Sequence, residues 1–239
     1  MRQIVLDTET TGLEVSQGHR VIEVGGVELV NRRPTGRVFH HYVNPNRDID
    51  AGAAAVHGIT LAKLAGKPRF EAIAQDFLDF IDGAELVAHN APFDIAFLDE
   101  ELRLYALRTG GERVRIRGKC RVLDTLALAK ELHPGQRNGL DALCKRYSVD
   151  NSHREYHGAL LDARILADVY LAMTGGQSAL QLDEGPRGAL EEAVVSQALD
   201  RVAGSLPVIG PTELELAAHE RLLSIIDKAS GGKTVWRTH

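Results

Sequence analysis

Apolar positions along this chain follow two periods in succession. Gln3-Ile4-Val5-Leu6 is a short apolar run with β-branched residues and predicts a buried strand. Val21–Val30 and Val38–Val43 predict two more strands, and the connection from Asn31 to Gly36 is rich in turn formers. Three strands with short links predict an antiparallel meander. From Phe70 the period becomes helical: Phe70, Ile73, Phe77, Leu78 and Ile81 share one face, and Gly83 ends the run. Leu86-Val87-Ala88 predicts a short buried strand. Phe93, Phe97, Leu98, Leu102 and Tyr105 then mark a helix with Pro92 near its first position. Val122–Leu132, Leu140–Tyr147 and Gly158–Met173 predict three further helices. The last turns Leu161, Ile165, Leu166, Val169 and Tyr170 inward and stops at Gly175-Gly176. Strands first and helices later predict an α/β fold, a mixed sheet flanked by helices.

The pattern weakens after Gly176. Residues 177–210 carry few large apolar side chains and predict a linker with one weak helix near Gly188–Val202. From Pro211, Leu214, Leu216, Leu222, Leu223, Ile225 and Ile226 predict a helix, and Trp236 is the single tryptophan. A segment so short cannot bury that apolar area alone. It packs either on a partner or back on the main domain.

Composition narrows the class. The chain has 239 residues, 44% hydrophobic and 26% charged, which suits a soluble globular protein of one large domain or one domain with an appendage. No run of about 18 apolar residues predicts a membrane span. The opening residues lack a basic stretch followed by an apolar one, so no secretory signal is expected. Cys120 and Cys144 suggest no disulfide framework and suit small core positions in a reducing cytoplasm. Net charge is −5, from 28 basic and 33 acidic residues, which argues against holding nucleic acid by bulk electrostatics. It leaves open an enzyme that works on nucleic acid through bound metal ions and is brought there by a partner.

Candidate chemistry lies in three places. Asp7-Thr8-Glu9 ends the first strand, and alternation puts the two carboxylates on one side. They repel unless a cation sits between them, and oxygen ligands suit Mg²⁺ or Mn²⁺. A solvated strand end is the competing reading. Thr10-Thr11-Gly12 favours a tight turn. Asp94 lies in a first helical turn after His89-Asn90-Ala91-Pro92-Phe93, where a carboxylate is at home for dipole reasons alone. Asn90 is either an N-cap or a substrate contact. His157 stands at a helix entrance with Asp162 about one turn in, amid apolar residues where a carboxylate needs a partner. Histidine can take a proton from water near neutral pH, which makes His157 a candidate base. The basic run Arg113, Arg115, Arg117, Lys119 and Arg121 reads either as a phosphate guide or as a solvated edge.

Together and in order, the strings DTETTG, HNAPFD and HGALLDA resemble the three motifs of the DEDD exonuclease superfamily, histidine variant. Val56-His57-Gly58-Ile59, Asn138–Cys144 and Leu171–Gly176 extend the likeness towards the proofreading subunits of bacterial replicative polymerases. It is dense over residues 1–176 and looser beyond. The resemblance implies a ribonuclease-H-like fold and 3′→5′ exonuclease activity releasing nucleoside 5′-monophosphates. It implies that Asp7, Glu9, Asp94 and Asp162 bind two divalent metal ions and that His157 is the general base. It implies substrate contacts at Asp7, Glu9, Thr10, His57, Asn90 and Asp162. Gly52 stands where some members carry a sugar-binding glutamate. Gln177, Leu180 and Leu182 resemble a sliding-clamp-binding peptide, with Leu182 where an aromatic residue is common. The implied organisation is an exonuclease domain (1–176), a linker (177–210) and a polymerase-binding tail (211–239). Implied partners are a single-stranded DNA 3′ end, the polymerase catalytic (alpha) subunit, the sliding clamp and a small theta-like subunit, all in the cytoplasm. A stand-alone exonuclease trimming RNA or DNA 3′ ends would share the five site residues without needing peptide or tail. A silent scaffold would need neither acids nor histidine.

Overall fold

The computed structural model describes residues 1–152, 154, 156–175 and 210–231. The chain divides into two units, Met1–Ala179 and Leu180–His239. The expected weak helix at 188–202, the peptide at 177–182 and Trp236 lie outside the described residues.

The first unit is built on a five-stranded sheet in the order β3-β2-β1-β4-β5. Strand β1 (Arg2–Thr10) pairs antiparallel with β2 (Val21–Val30), which pairs antiparallel with β3 (Arg33–Tyr42). This is the expected meander, with a shorter turn. Asn31 and Arg32 both have positive φ, at 49° and 65°, so two residues close the hairpin. The third strand therefore begins at Arg33 rather than Val38. Pro34 is tolerated there because β3 is an edge strand. On the other side β1 pairs parallel with β4 (Glu85–Ala88), and β4 pairs parallel with β5 (Arg121–Asp124).

Strand β5 corrects the expected single helix over 122–132. Val122 and Leu123 pair with Leu86 and Val87, and only after Asp124 does the chain turn helical. Asp124 caps that helix by accepting from the Leu126 amide at 2.9 Å. A four-residue strand running into a helix of similar apolarity has no periodicity of its own. The edge offered by β4 decides it.

Helices cover both faces of the sheet. Ile4 and Leu6 of β1 face a layer built from α3 (Phe70–Ile81) and α4 (Ala91–Thr109); α1 (Ala51–His57) and α2 (Leu61–Leu64) precede them in the chain. Val5 faces the other layer, where α8 (Ala159–Thr174) packs with Leu166, Ala167 and Tyr170. Between these layers in sequence come α5 (Ile116–Lys119), α6 (Thr125–Leu132) and α7 (Leu140–Tyr147). Helices α6 and α7 pack on the outer side of α8 through Ala129, Leu143 and Cys144. The short helices α1, α2 and α5 carry no long apolar period, which is why the pattern missed them. Gly25 explains how close α8 comes: a Cβ there would lie 2.2 Å from Ala159 C and Leu160 N. The glycine lets the first turn of α8 rest directly on β2.

The second unit contributes one described helix, α9 (Glu213–Ser230), which matches the expected apolar pattern. Thr212 and Glu215 form a reciprocal capping box at its start. Leu214, Leu222 and Ile225 on it are exposed. No helix among the described residues is long and apolar enough to cross a membrane.

Candidate active site

At the carboxyl end of β1, a cavity of about 880 Å³ is lined by Asp7, Glu9, Asp94, His157 and Asp162. Five residues spread over more than 150 positions therefore meet in one place. The two-layer architecture explains how. Asp7 and Glu9 continue the face of Val5, towards α8, whose first turn supplies Asp162. Thr8 continues the opposite face, towards α4, whose first turn supplies Asp94. The Thr8 hydroxyl donates to Asp94 Oδ1 at 2.7 Å and fixes that carboxylate across the strand. Ligand atoms of Glu9, His157 and Asp162 lie within 4.8 Å of one another. The His157 amide donates to the Val56 carbonyl at 3.2 Å, which ties the loop before α8 to α1.

The electrostatics of this cavity are unfavourable without a further cation. Burial raises the Asp7 carboxyl well above its ordinary value, and Asp94, Glu9 and Asp162 add to the shift. Glu9 is pushed up to about 8 by burial first, then by Asp162 and Glu23. Asp94 is raised to about 7, because burial outweighs its hydrogen bonds from Thr8. Asp162 alone goes the other way. Burial acts upward on it, but the neighbouring His157 and the guanidinium of Arg154 outweigh that and hold it low.

Arg154 is the cation that achieves this, and sequence reasoning missed it. It sits in a polar loop, Asn151–His157, where one arginine is indistinguishable from a solvated one. Its side chain is only 7% exposed and forks onto Asp162. Glu23 was also missed, although its signal was legible: one of two charges, with Glu28, in the apolar run Val21–Val30. It pairs across the sheet with Glu9, is buried, and accepts or shares a proton with His40 Nε2 at 2.7 Å.

A second cavity of about 610 Å³ shares Thr8, Glu9 and Phe93 with the first. Thr10, Gly52 and His57 line it. His57 is buried at the end of α1, where its Nδ1 accepts from the Ile59 amide at 3.0 Å and burial lowers its pKa. Thr10 donates to the Gly12 carbonyl at 2.7 Å and shapes the turn after β1. Asn90 stands apart: it is the exposed N-cap of α4, with φ at 66°, outside the lining of both cavities. The basic run from Arg113 to Arg121 is not near the acids. It leads into the start of β5, beside Glu85 at the start of β4, the opposite end of these parallel strands. Gln177, Leu180 and Leu182 lie outside the described residues.

Residues 4–170 match the family described as RNase T exonuclease. Over nearly the whole length the chain is 48% identical to the DNA polymerase III subunit epsilon of Escherichia coli K12, covering 99% of this chain and 97% of that protein. It is 49% identical to the subunit of the same name from Pasteurella multocida, covering 98% and 93%. The chain belongs to the DNA polymerase III epsilon-subunit family of exonucleases. Among solved structures, exonuclease X in complex with 5′ overhanging duplex DNA superposes with a TM-score of 0.55 at 27% identity, over 72% of this chain and 91% of that one. Exonuclease I shares the fold at a TM-score of 0.61 and 17% identity, over 74% and 41%. Family and fold together make the chain a 3′→5′ exonuclease of the proofreading kind.

Proposed function

We propose that Asp7, Glu9, Asp94 and Asp162 hold two divalent metal ions, Mg²⁺ or Mn²⁺, and that His157 is the general base for hydrolysis of a DNA 3′-terminal phosphodiester. The observation that carries this is the convergence of four carboxylates and a histidine in one cavity, where burial, and for Asp7 and Glu9 also like charge, pushes three of the acids towards protonation. Such a donor set fits hard dications, which would ionise all four acids and remove the repulsion. When bound, the pair supplies acidity to the attacking water and stabilises the leaving 3′ oxygen. The chain's own residues do the rest. Thr8 keeps Asp94 turned towards the strand end. His157, on a partly exposed loop, takes the proton of the water. The second cavity, with His57, Thr10 and the open space beside Gly52, receives the terminal nucleoside. Nucleoside 5′-monophosphates leave.

The wider role follows the family. The enzyme works on single-stranded 3′ ends beside a polymerase catalytic subunit held by residues 211–239, with 177–182 on a sliding clamp and a theta-like subunit as a further partner. Exposed Leu214, Leu222 and Ile225 on α9 support the first of these contacts. Tethering supplies the effective concentration that a net charge of −5 does not. The site belongs to a cytoplasmic replication machine on this reading. The test is hydrolysis of a primer with a mispaired 3′ end, with Mg²⁺ or with chelator, by full-length protein and its Asp7→Ala variant. Mononucleotides released only by the unaltered protein with metal are expected. Equal release in chelator would remove the metals from the reaction.

A further inference from the structure

Arg154 makes more contacts than anchoring a loop requires. Its guanidinium donates through Nε to Asp162 Oδ1 at 2.6 Å, and through one amino group to Asp162 Oδ2 and to His157 Nδ1 at 2.9 Å. The other amino group donates to Asp141 Oδ1 at 2.6 Å. Asp162 Oδ2 and His157 Nδ1 are 3.4 Å apart, so a single amino group bridges two of the three residues that cluster as metal-ligand candidates.

Two consequences follow from elementary chemistry. A guanidinium fork engages both oxygens of a carboxylate in the plane where a cation also binds best. A dication and a guanidinium repel at such distances, and the low local dielectric strengthens the repulsion. They cannot hold Asp162 together in this arrangement. In addition, guanidinium donates and never accepts. While it bonds Nδ1 of His157, that lone pair is occupied, and the neutral ring carries its hydrogen on Nε2. The ring then has no nitrogen free to take a proton.

The third contact supplies a second seat. Asp141 lies at the start of α7, and its side chain is 63% exposed against 4% for Asp162. It can keep the guanidinium in partly solvated surroundings when Asp162 is claimed by another cation.

We propose that Arg154 is a positioning residue that stands in for the divalent cations, holding Asp162 and capping the His157 lone pair, and that cation binding moves its guanidinium onto Asp141 and frees the base. The inference rests on the metal-dependent reading of the site. It adds an order of events: the base becomes competent only on a loaded site.

The experiment uses full-length protein without DNA. Mn²⁺ binding is measured by calorimetry for the unaltered protein, Arg154→Met and Arg154→Lys. Loss of the competing fork should tighten Mn²⁺ binding roughly tenfold in Arg154→Met, the worth of one charge-assisted hydrogen bond. Arg154→Lys should fall between, because lysine keeps the charge without the fork. Should Arg154→Met misfold, ¹⁵N NMR of the unaltered protein decides. The Arg154 Nε–H should be protected from exchange in chelator and lose protection at saturating Mg²⁺, with His157 Nδ1 released as acceptor. Unchanged or weaker Mn²⁺ binding in Arg154→Met, or an Nε–H still protected on the saturated site, overturns the inference and leaves the site standing. If the unaltered protein binds no divalent cation, the reading of the site itself is what fails.

Discussion

Glu9 is the acid whose removal should change the metal-free protein most measurably. It is 8% exposed and faces Glu23 across the β1–β2 ladder. Burial and like charge raise it from 4.5 to about 8. A carboxyl whose folded pKa lies above its unfolded value binds more protons when folded. Stability is therefore fully present below about 4.5 and is lost as pH rises through the window to about 8. The linked slope is about 1.4 kcal/mol per pH unit for one such group. Between pH 5 and 7, Glu9 alone should remove about 3 kcal/mol, a large part of the roughly 5–15 kcal/mol that holds a domain folded. Glu9→Gln keeps the size and removes the titration. Urea unfolding in chelator at pH 5, 6 and 7 should give a steeper decline for the unaltered protein by about that slope. The difference between the two proteins isolates Glu9 from the other titrating groups. Saturating Mg²⁺ should then reverse the ranking, because a dication favours the ionised form that glutamine cannot adopt. Parallel declines in chelator would refute the electrostatic account of the pocket.

Three further outcomes follow. Asp7→Ala should abolish mononucleotide release while raising the melting temperature in chelator, since one member of a repelling set is gone; an unchanged rate would take Asp7 out of the site. His157→Ala should lower turnover about 10²–10⁴-fold with Mn²⁺ affinity largely kept, as expected for a base and not a ligand, checked by single-turnover kinetics and calorimetry. Gly25→Ala places a methyl 2.2 Å from the backbone of Ala159 and Leu160, so α8 must move. A loss of about 1–3 kcal/mol by urea unfolding should accompany a fall in activity, because Asp162 rides on that first turn.

Where strand and helix periods were long, the sequence pattern matched the folded chain: the meander, α3, α4 and α8 all lie where the apolar spacing puts them. It failed where length was too short to carry a period, as in β5 and α5, and where two residues of positive φ made a tighter turn than the six-residue connection suggested. The five motif residues were legible because each stands at an element end, where polar side chains carry information. Arg154 was not, since its role depends on a loop folding back over Asp162 and no spacing encodes that. Glu23 was legible in principle, as a charge inside an apolar strand, but its partner Glu9 is revealed only by the β1–β2 register.

The distribution of the acids has its own physical logic. Asp94 and Asp162 lie in the first turns of α4 and α8, where unpaired backbone amides carry partial positive charge. Asp7 and Glu9 project from a strand, which offers no such field. Burial drives Asp7 and Glu9 towards protonation, and Asp94 as well despite its helix terminus, so these three are the acids most dependent on an external cation. A chain in which all four acids were neutralised internally would fold more tightly and bind a dication poorly, because nothing would be gained on binding. Among the arginines and lysines of the described residues only Arg154 bonds any of the four carboxylates, and of the four it bonds Asp162 alone; the charge left unmatched on the other three is what a dication would fill.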